Sequence, residues 1–229
     1  MTRGVASGER GNGLEALRWN RRFRGRGTDP DTERNQRSNA SHHGHEHSDG
    51  MRARKFVDRL AAARIGTTHN FYREGEGAEL RRDRLAAYLE ERASAPVLLV
   101  GEAPGFRGAR ISGVPFTSER QLTGAGPAES TATIVQRALA ELDLDVLCWN
   151  VVPTHPGTER SNRRPTRPEV EASREFLEPL ARRRRVIAVG RLAERVTGAP
   201  YVRHPSHGGA AEFKRGLELL EGGNRRPCC

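Results

Sequence analysis

Apolar residues in two early segments recur with the three- and four-residue spacing of a helix that buries one face. The segments are MRARKFVDRLAAARI, from Met51, and AELRRDRLAAYLEERAS, from Ala78. Their predicted core positions are Phe56, Val57, Leu60, Ala61 and Ile65 in the first, and Leu80, Leu85, Tyr88 and Leu89 in the second.

Four short apolar runs further along the chain are typical of strands that are covered on both faces. They are VLLVGE, DVLCWNVV, RVIAVG and the beginning of YVRHPS. Helical patterns separate them, one with Pro168 near its start and one that ends at Gly198, a residue suited to a helix C-terminus. This alternation predicts an α/β three-layer sandwich, with a mostly parallel four-stranded sheet and helices on both faces.

A parallel sheet of this kind places its functional site outside the carboxyl ends of its strands. The residues predicted there come from four separate segments of the chain. They are Gly101 to Gly105 after the first strand, Asn150 at the end of the second, Gly190 after the third, and His204 to Ser206 after the fourth.

The first 50 residues differ from the rest, since they are rich in Gly, Arg, Asn, Ser and Asp and show no sustained apolar period. Such a segment buries too little surface to offset its chain entropy, so we predict a disordered tail over residues 1–50 and one domain over residues 51–229. The histidines of the tail leave open a divalent-metal site as the alternative to a solvated low-complexity segment. They are His42, His43, His45 and His47.

The chain is strongly basic, with 39 Lys and Arg against 29 Asp and Glu and a formal net charge of +10. This excess fits either an arginine-rich proteome or a polyanionic partner such as nucleic acid. No apolar run approaches the roughly 18 residues that span a bilayer, so we predict a cytoplasmic protein without a membrane contact. Three cysteines, Cys148, Cys228 and Cys229, are too few for a four-thiolate cluster, and we predict no cofactor and no metal.

Four motifs at these strand ends, GEAPGFRG, SGVPFTSE, WNVVPTHPG and HPSHGG, together resemble the uracil-DNA glycosylase superfamily and occur in its order. The resemblance runs from about Val97 to Glu212 and is greatest to the bacterial GEAPG branch without an iron–sulfur cluster. It implies an enzyme that flips deoxyuridine out of DNA and hydrolyses its N-glycosidic bond, the first step of base-excision repair. The implied partner is uracil-containing DNA, and we expect a monomer.

The resemblance also implies roles for individual residues. The loop from Gly101 through Ala103 and Pro104 to Gly105 would shape the pocket with its main chain. Phe116 would stack on the flipped base, and the Asn150 amide matches the O4 and N3–H edge of uracil.

His204 would stabilise the departing base at O2, with Glu102 as the second catalytic residue. The residues expected to contact DNA phosphate are Ser206, His207 and Gly208, with Arg163 and Arg164 from the basic loop ERSNRRPTRPE, residues 159–169.

The sequence departs from the superfamily in two ways. Ala103 stands where other members place an aspartate near the attacking water, and HGGAAEF offers no leucine wedge for flipping a base out of a duplex. Two alternatives therefore stay open. One is a DNA-binding member with little or no turnover, and the other is an α/β enzyme acting on free nucleotides.

Overall fold

A four-stranded sheet lies at the centre of the computed structural model, which describes residues 43–222. The strands are β1 (Val97–Gly101), β2 (Val146–Asn150), β3 (Arg185–Val189) and β4 (Tyr201–Val202), in the spatial order β2-β1-β3-β4. Each neighbouring pair is parallel. The predicted α/β fold is confirmed.

Helices precede the sheet and connect its strands. Their bounds are α1 (His43–Ala62), α2 (Ala78–Glu91), α3 (Ala109–Ser112), α4 (Glu119–Thr123), α5 (Ser130–Glu141), α6 (Arg167–Ala172), α7 (Arg174–Ala181), α8 (Arg191–Thr197) and α9 (Ala210–Gly222). Over residues 43–222, none of them combines the length and the apolar character that a membrane crossing requires.

The sheet is covered on both faces. All five residues of β1 and all five of β2 are buried, although alternate side chains of a strand point to opposite faces. The ring of Phe56 in α1 meets Trp149 of β2 edge-on at 5.7 Å and Phe176 of α7 at 5.9 Å. These contacts join the first helix of the domain to the sheet.

The outer edge of β2 is held by α2. The backbone N–H of Cys148 donates to the Tyr88 hydroxyl at 2.7 Å, and Arg92 at the end of the helix pairs with Asp145 at 3.1 Å. A side chain therefore occupies an edge position where another strand could otherwise pair. This edge matters because β2 ends at Asn150, a predicted site residue.

Two predictions made from the sequence differ from the structure. Leu80, a predicted core position, is 51% exposed. The single helix expected around Pro168 is divided at Ser173 into α6 and α7, because the Ser173 hydroxyl donates to the Glu169 carbonyl at 2.7 Å and competes with continued helix geometry. The predicted end of α8 at Gly198 is confirmed, with φ of 65°.

The boundary predicted at Met51 falls inside α1, which begins at His43. Residues 1–42, with most of the predicted tail, lie outside the described residues. So do the side chains of the four histidines that could have formed a metal site.

A buried carboxylate, Glu169, links the basic loop to the segment after α1, residues 63–77. Glu169 is 2% exposed and accepts two hydrogen bonds from Arg163, at 2.8 Å and 2.5 Å, and one from the Thr166 N–H at 2.8 Å. The Thr67 hydroxyl also contacts it, at 3.3 Å. The Arg163 guanidinium, more than any other group, lowers the pKa of Glu169 to about 2.

We predict that Glu169→Gln lowers the free energy of unfolding at pH 7 by about 3 kcal/mol, because the pKa of this carboxylate is depressed in the folded state. The contribution is complete above the unfolded pKa, near 4.3, and is lost as the pH falls towards 2. Urea unfolding of both proteins between pH 7 and pH 2.5 should therefore show a difference that shrinks with acidification.

Glu171→Gln is the matched control, since that side chain is 69% exposed and, within residues 43–222, forms an ion pair only with Arg174. It should change the free energy of unfolding little at any pH. A Glu169→Gln difference that stays constant from pH 7 to pH 2.5 would contradict the assigned ion pair.

Candidate functional site

The ends of β1 and β2 form a rigid frame for the candidate site. Gly101 lies opposite Asn150 in the parallel ladder. The pairing continues beyond the strands, with the Val151 N–H donating to the Gly101 carbonyl at 2.8 Å and the Val152 N–H to the Glu102 carbonyl at 3.1 Å. The first residues of the GEAPG loop are thus held by sheet hydrogen bonds.

Phe116 and Asn150 pack together against Gly101. A Cβ atom on Gly101 would lie 2.4 Å from Cζ of Phe116 and 2.8 Å from Oδ1 of Asn150, so only glycine fits at this point. Phe116 is 8% exposed and Asn150 5%. Within residues 43–222 no protein group hydrogen-bonds to the Asn150 amide, so its donor and acceptor are available to a ligand.

The backbone of Phe116 is strained. Its φ is 53°, in the left-handed region that aromatic residues rarely adopt. The surrounding structure imposes this conformation, since Gln136 donates to the Phe116 carbonyl at 3.1 Å and Ser112 donates to the next carbonyl, that of Thr117, at 2.8 Å. Such strain is found where a side chain must be aimed.

His204 is held in one tautomer. Its Nδ1 accepts the Ser206 backbone N–H at 3.2 Å and lies 2.8 Å from the Ser206 hydroxyl. An accepting Nδ1 carries no proton, so the neutral ring carries its proton on Nε2, which has no hydrogen-bond partner among the described residues. Burial, and secondly the nearby His207, lower the pKa of His204 and favour this neutral form.

The loop after His204 is shaped for close backbone approach. A Cβ on Gly209 would lie 2.3 Å from the His204 carbonyl oxygen, and His207 has a φ of 53°. The last helix, α9, begins at Ala210, and the Gly209 N–H donates to the Ser206 carbonyl at 3.1 Å. His207 also contacts the Ser206 hydroxyl, at 3.0 Å.

Glu102 is half-buried, and no group among the described residues donates a hydrogen bond to its carboxylate. Burial raises its pKa, while Arg164 and Arg195 act in the opposite direction. Arg164, a predicted phosphate contact, therefore lies close enough to the GEAPG loop, Gly101 to Gly105 (the pocket loop), to influence the Glu102 carboxylate. Arg195 of α8 also influences the Glu102 carboxylate. The sequence did not predict Arg195 as a site residue, because α8 is distant from Glu102 in the chain.

The two arginines of the basic loop differ in their surroundings. Arg163 is engaged with Glu169, whereas Arg164 is exposed. The predicted phosphate contact of Arg163 stays a prediction, and the structure adds a stabilising partner that the sequence did not indicate.

A shallow groove of about 560 Å³ begins where the pocket loop ends, at Gly105. Phe106, Arg107, Glu129 and Asn162 are among the residues that line it. Asn162 of the basic loop accepts the Phe106 N–H at 3.0 Å, which links the two loops. The groove lies beside the frame formed by Gly101 and Asn150 rather than within it.

A family model described as the uracil DNA glycosylase superfamily matches residues 90–221, more than half of the chain. The chain belongs to the uracil DNA glycosylase superfamily. The resemblance to this superfamily that was inferred from the sequence is confirmed, and the assignment to its branch without an iron–sulfur cluster stays a prediction. No curated protein sequence matches the chain.

Two solved structures are similar to this superfamily member. Wild-type SMUG2 from Pedobacter heparinus is 13% identical, with 74% of this chain and 98% of that chain covered and a TM-score of 0.53. Wild-type UNG from Nitratifractor salsuginis is 18% identical, with 78% and 95% covered and a TM-score of 0.39. The SMUG2 structure supports the fold.

We predict that Gly101→Ala displaces the Phe116 ring and the Asn150 amide, because the added methyl group would overlap both. Any base-excision activity should fall by about 100-fold, the loss that a 1 Å misplacement can produce. The measurement is single-turnover excision from a uracil oligonucleotide, with thermal unfolding followed in parallel. A variant with wild-type excision would show that the contact does not position the pocket.

Proposed function

We propose that this protein is a monofunctional uracil-DNA glycosylase that hydrolyses the N-glycosidic bond of deoxyuridine in DNA. The observation on which the proposal chiefly rests is the joint packing of Phe116 and Asn150 against Gly101. A stacking ring and an unengaged amide at a strand end suit a flat base that presents both a donor and an acceptor.

Asn150 supplies the recognition of uracil. Its amide can accept from N3–H and donate to O4 of uracil, whereas cytosine presents the opposite pattern. Because the amide is nearly buried, a cytosine in the pocket would leave buried polar groups unpaired. This argument concerns the base alone, so it applies equally to a free nucleotide. The basic charge of the chain suits a polyanion such as DNA, and the free-nucleotide alternative is an outcome of the test below.

His204 supplies the donor for the departing base. Negative charge develops on uracil O2 as the glycosidic bond breaks, and the Nε2–H of a neutral, fixed imidazole is suited to stabilise it. The Ser206 contacts fix this tautomer before substrate binds. No proton needs to be transferred from His204, because the uracil anion can leave as such.

Water completes the reaction at C1′ of the sugar. Ala103 has no side chain that could orient this water, so Glu102 and the loop backbone are the groups left to do so. Burial raises the pKa of Glu102, and the positive charges of Arg164 and Arg195 partly offset that rise. The phosphates of the bound strand are contacted by Ser206, His207, Gly208 and the basic loop.

The direct test is incubation with a uracil-containing oligonucleotide, followed by alkali and gel electrophoresis. Strand cleavage that depends on the protein and on uracil supports the proposal. Tight DNA binding without cleavage would instead favour a DNA-binding member without turnover. Hydrolysis of free deoxyuridine that DNA does not inhibit would favour an enzyme of free nucleotides.

We predict that His204→Ala lowers the single-turnover excision rate by about 100- to 1,000-fold, the usual loss for one preorganised donor. Glu102→Gln should cost less, because the leaving-group side carries most of the stabilisation when Ala103 offers no carboxylate. Affinity for the uracil oligonucleotide is measured separately and should change little in either variant. A larger loss for Glu102→Gln would make the carboxylate the principal catalytic group.

We predict that Asn150→Ala lowers uracil excision by about 10- to 100-fold, equivalent to about 1–3 kcal/mol for a lost buried hydrogen-bonding group. Asn150→Asp should also lose most uracil excision, and the same oligonucleotide series tests it for a gain of cytosine excision. Retention of near wild-type uracil excision by Asn150→Ala would show that the amide does not recognise the base.

A further inference from the structure

His155 lies behind the candidate site with both ring nitrogens engaged. It is 0% exposed, and its Nδ1 lies 2.8 Å from the Pro104 carbonyl oxygen and its Nε2 2.8 Å from the Thr158 carbonyl oxygen. A carbonyl oxygen only accepts, so both contacts are hydrogen bonds only when both ring nitrogens carry protons. The geometry therefore fits an imidazolium.

The two carbonyls belong to different functional loops. Pro104 is part of the GEAPG loop, and Thr158 begins the turn that leads to the basic loop with Arg164. The His155 backbone is fixed as well, since it exchanges hydrogen bonds with His69 at 3.0 Å and 2.8 Å. One buried side chain thus joins both loops to the segment after α1.

The turn beyond His155 leaves no room for a side chain at Gly157. A Cβ there would lie 1.9 Å from the Ser161 carbonyl oxygen and 2.8 Å from Nε2 of His155. The Thr158 N–H donates to that same Ser161 carbonyl at 3.0 Å, which closes the turn over the ring. The local chain is therefore built around the imidazole.

We propose that His155 is a positioning residue that, as a doubly protonated ring, fixes the pocket loop at Pro104 and the basic loop at Thr158 in one arrangement. The proposal rests on the proposed glycosylase function. A buried carbonyl that loses its donor is unfavourable, so removal of the ring allows the Pro104–Gly105 peptide to reorient. The pocket loop and the basic loop are then no longer hydrogen-bonded to the same side chain.

The first measurement uses ¹⁵N-labelled wild-type protein and does not depend on activity. The imidazole spectrum at pH 7 should show two protonated nitrogens for His155, assigned by comparison with His155→Gln. An unprotonated ring nitrogen would overturn the charge assignment. Because this spectrum needs no substrate, it remains informative if the protein proves not to excise uracil.

The second measurement compares His155→Phe, which has no donor, with His155→Gln, which keeps one. We expect the single-turnover rate to fall by about 100-fold in His155→Phe and by less in His155→Gln, with a smaller change in oligonucleotide affinity. Hydrogen exchange of the Phe106 N–H, which reports on the loop through its bond to Asn162, should quicken in the same order.

His69→Ala is the matched control. Its ring is 37% exposed and pairs with Glu74, while its contribution to His155 is made by the backbone and survives the substitution. It should keep wild-type excision and exchange. Wild-type excision and exchange in a folded His155→Phe would overturn the positioning role, and so would a loss in His155→Gln no smaller than that in His155→Phe. Failure of wild-type protein to excise uracil would instead refute the proposed function. The hydrogen-exchange experiment would still test whether His155 fixes the two loops.

Discussion

The pairing of Gly101 with Asn150 across β1 and β2 is the constraint on which the candidate site depends. It fixes a backbone position without a side chain next to an amide, and the space left by the missing Cβ is filled by the Phe116 ring. The sheet pairing therefore positions Gly101 and Asn150, and the loop that carries Phe116 is held separately by Gln136 and Ser112. Interiors of this kind transmit small displacements, because close packing leaves few voids. A methyl group added at Gly101 would therefore overlap both Phe116 and Asn150, the two residues proposed to contact the base.

In the proposed reaction the leaving group would meet a neutral donor, His204, and the sugar would meet an acidic group, Glu102. A protonated His204 would lose the acceptor that holds the Ser206 N–H, so the structure itself favours the neutral ring. Glu102 is disfavoured as an anion by burial, and bound phosphates would add to that effect. Arg164 and Arg195 oppose both influences. Arg164 therefore has two roles in the proposal, since it contacts phosphate and partly offsets the rise that burial causes in the pKa of Glu102.

The sequence predicted the strands, their order along the chain and the convergence of their carboxyl ends, because these features depend on local apolar runs and on the geometry of parallel sheets. The C-terminal glycine of α8 was predictable for the same local reason. The exposure of Leu80, the break at Ser173 and the ion pair of Glu169 were not, since each depends on contacts with other elements. Thr67 and Glu169 are 102 residues apart in the chain and yet hydrogen-bonded.

The family match begins at residue 90, but the site is braced by residues that precede it. Thr68 and Thr154 share a hydrogen bond between their hydroxyls at 2.6 Å, and His69 pairs with His155 through both backbone groups. Thr154 and His155 follow β2, which ends at Asn150, the residue proposed to recognise the base. The segment after α1 thus acts on the site from behind, and the motifs at the strand ends are only part of what holds it. In physical terms the functional unit includes α1 and the turn that follows it, because the two loops of the site are fixed to that turn.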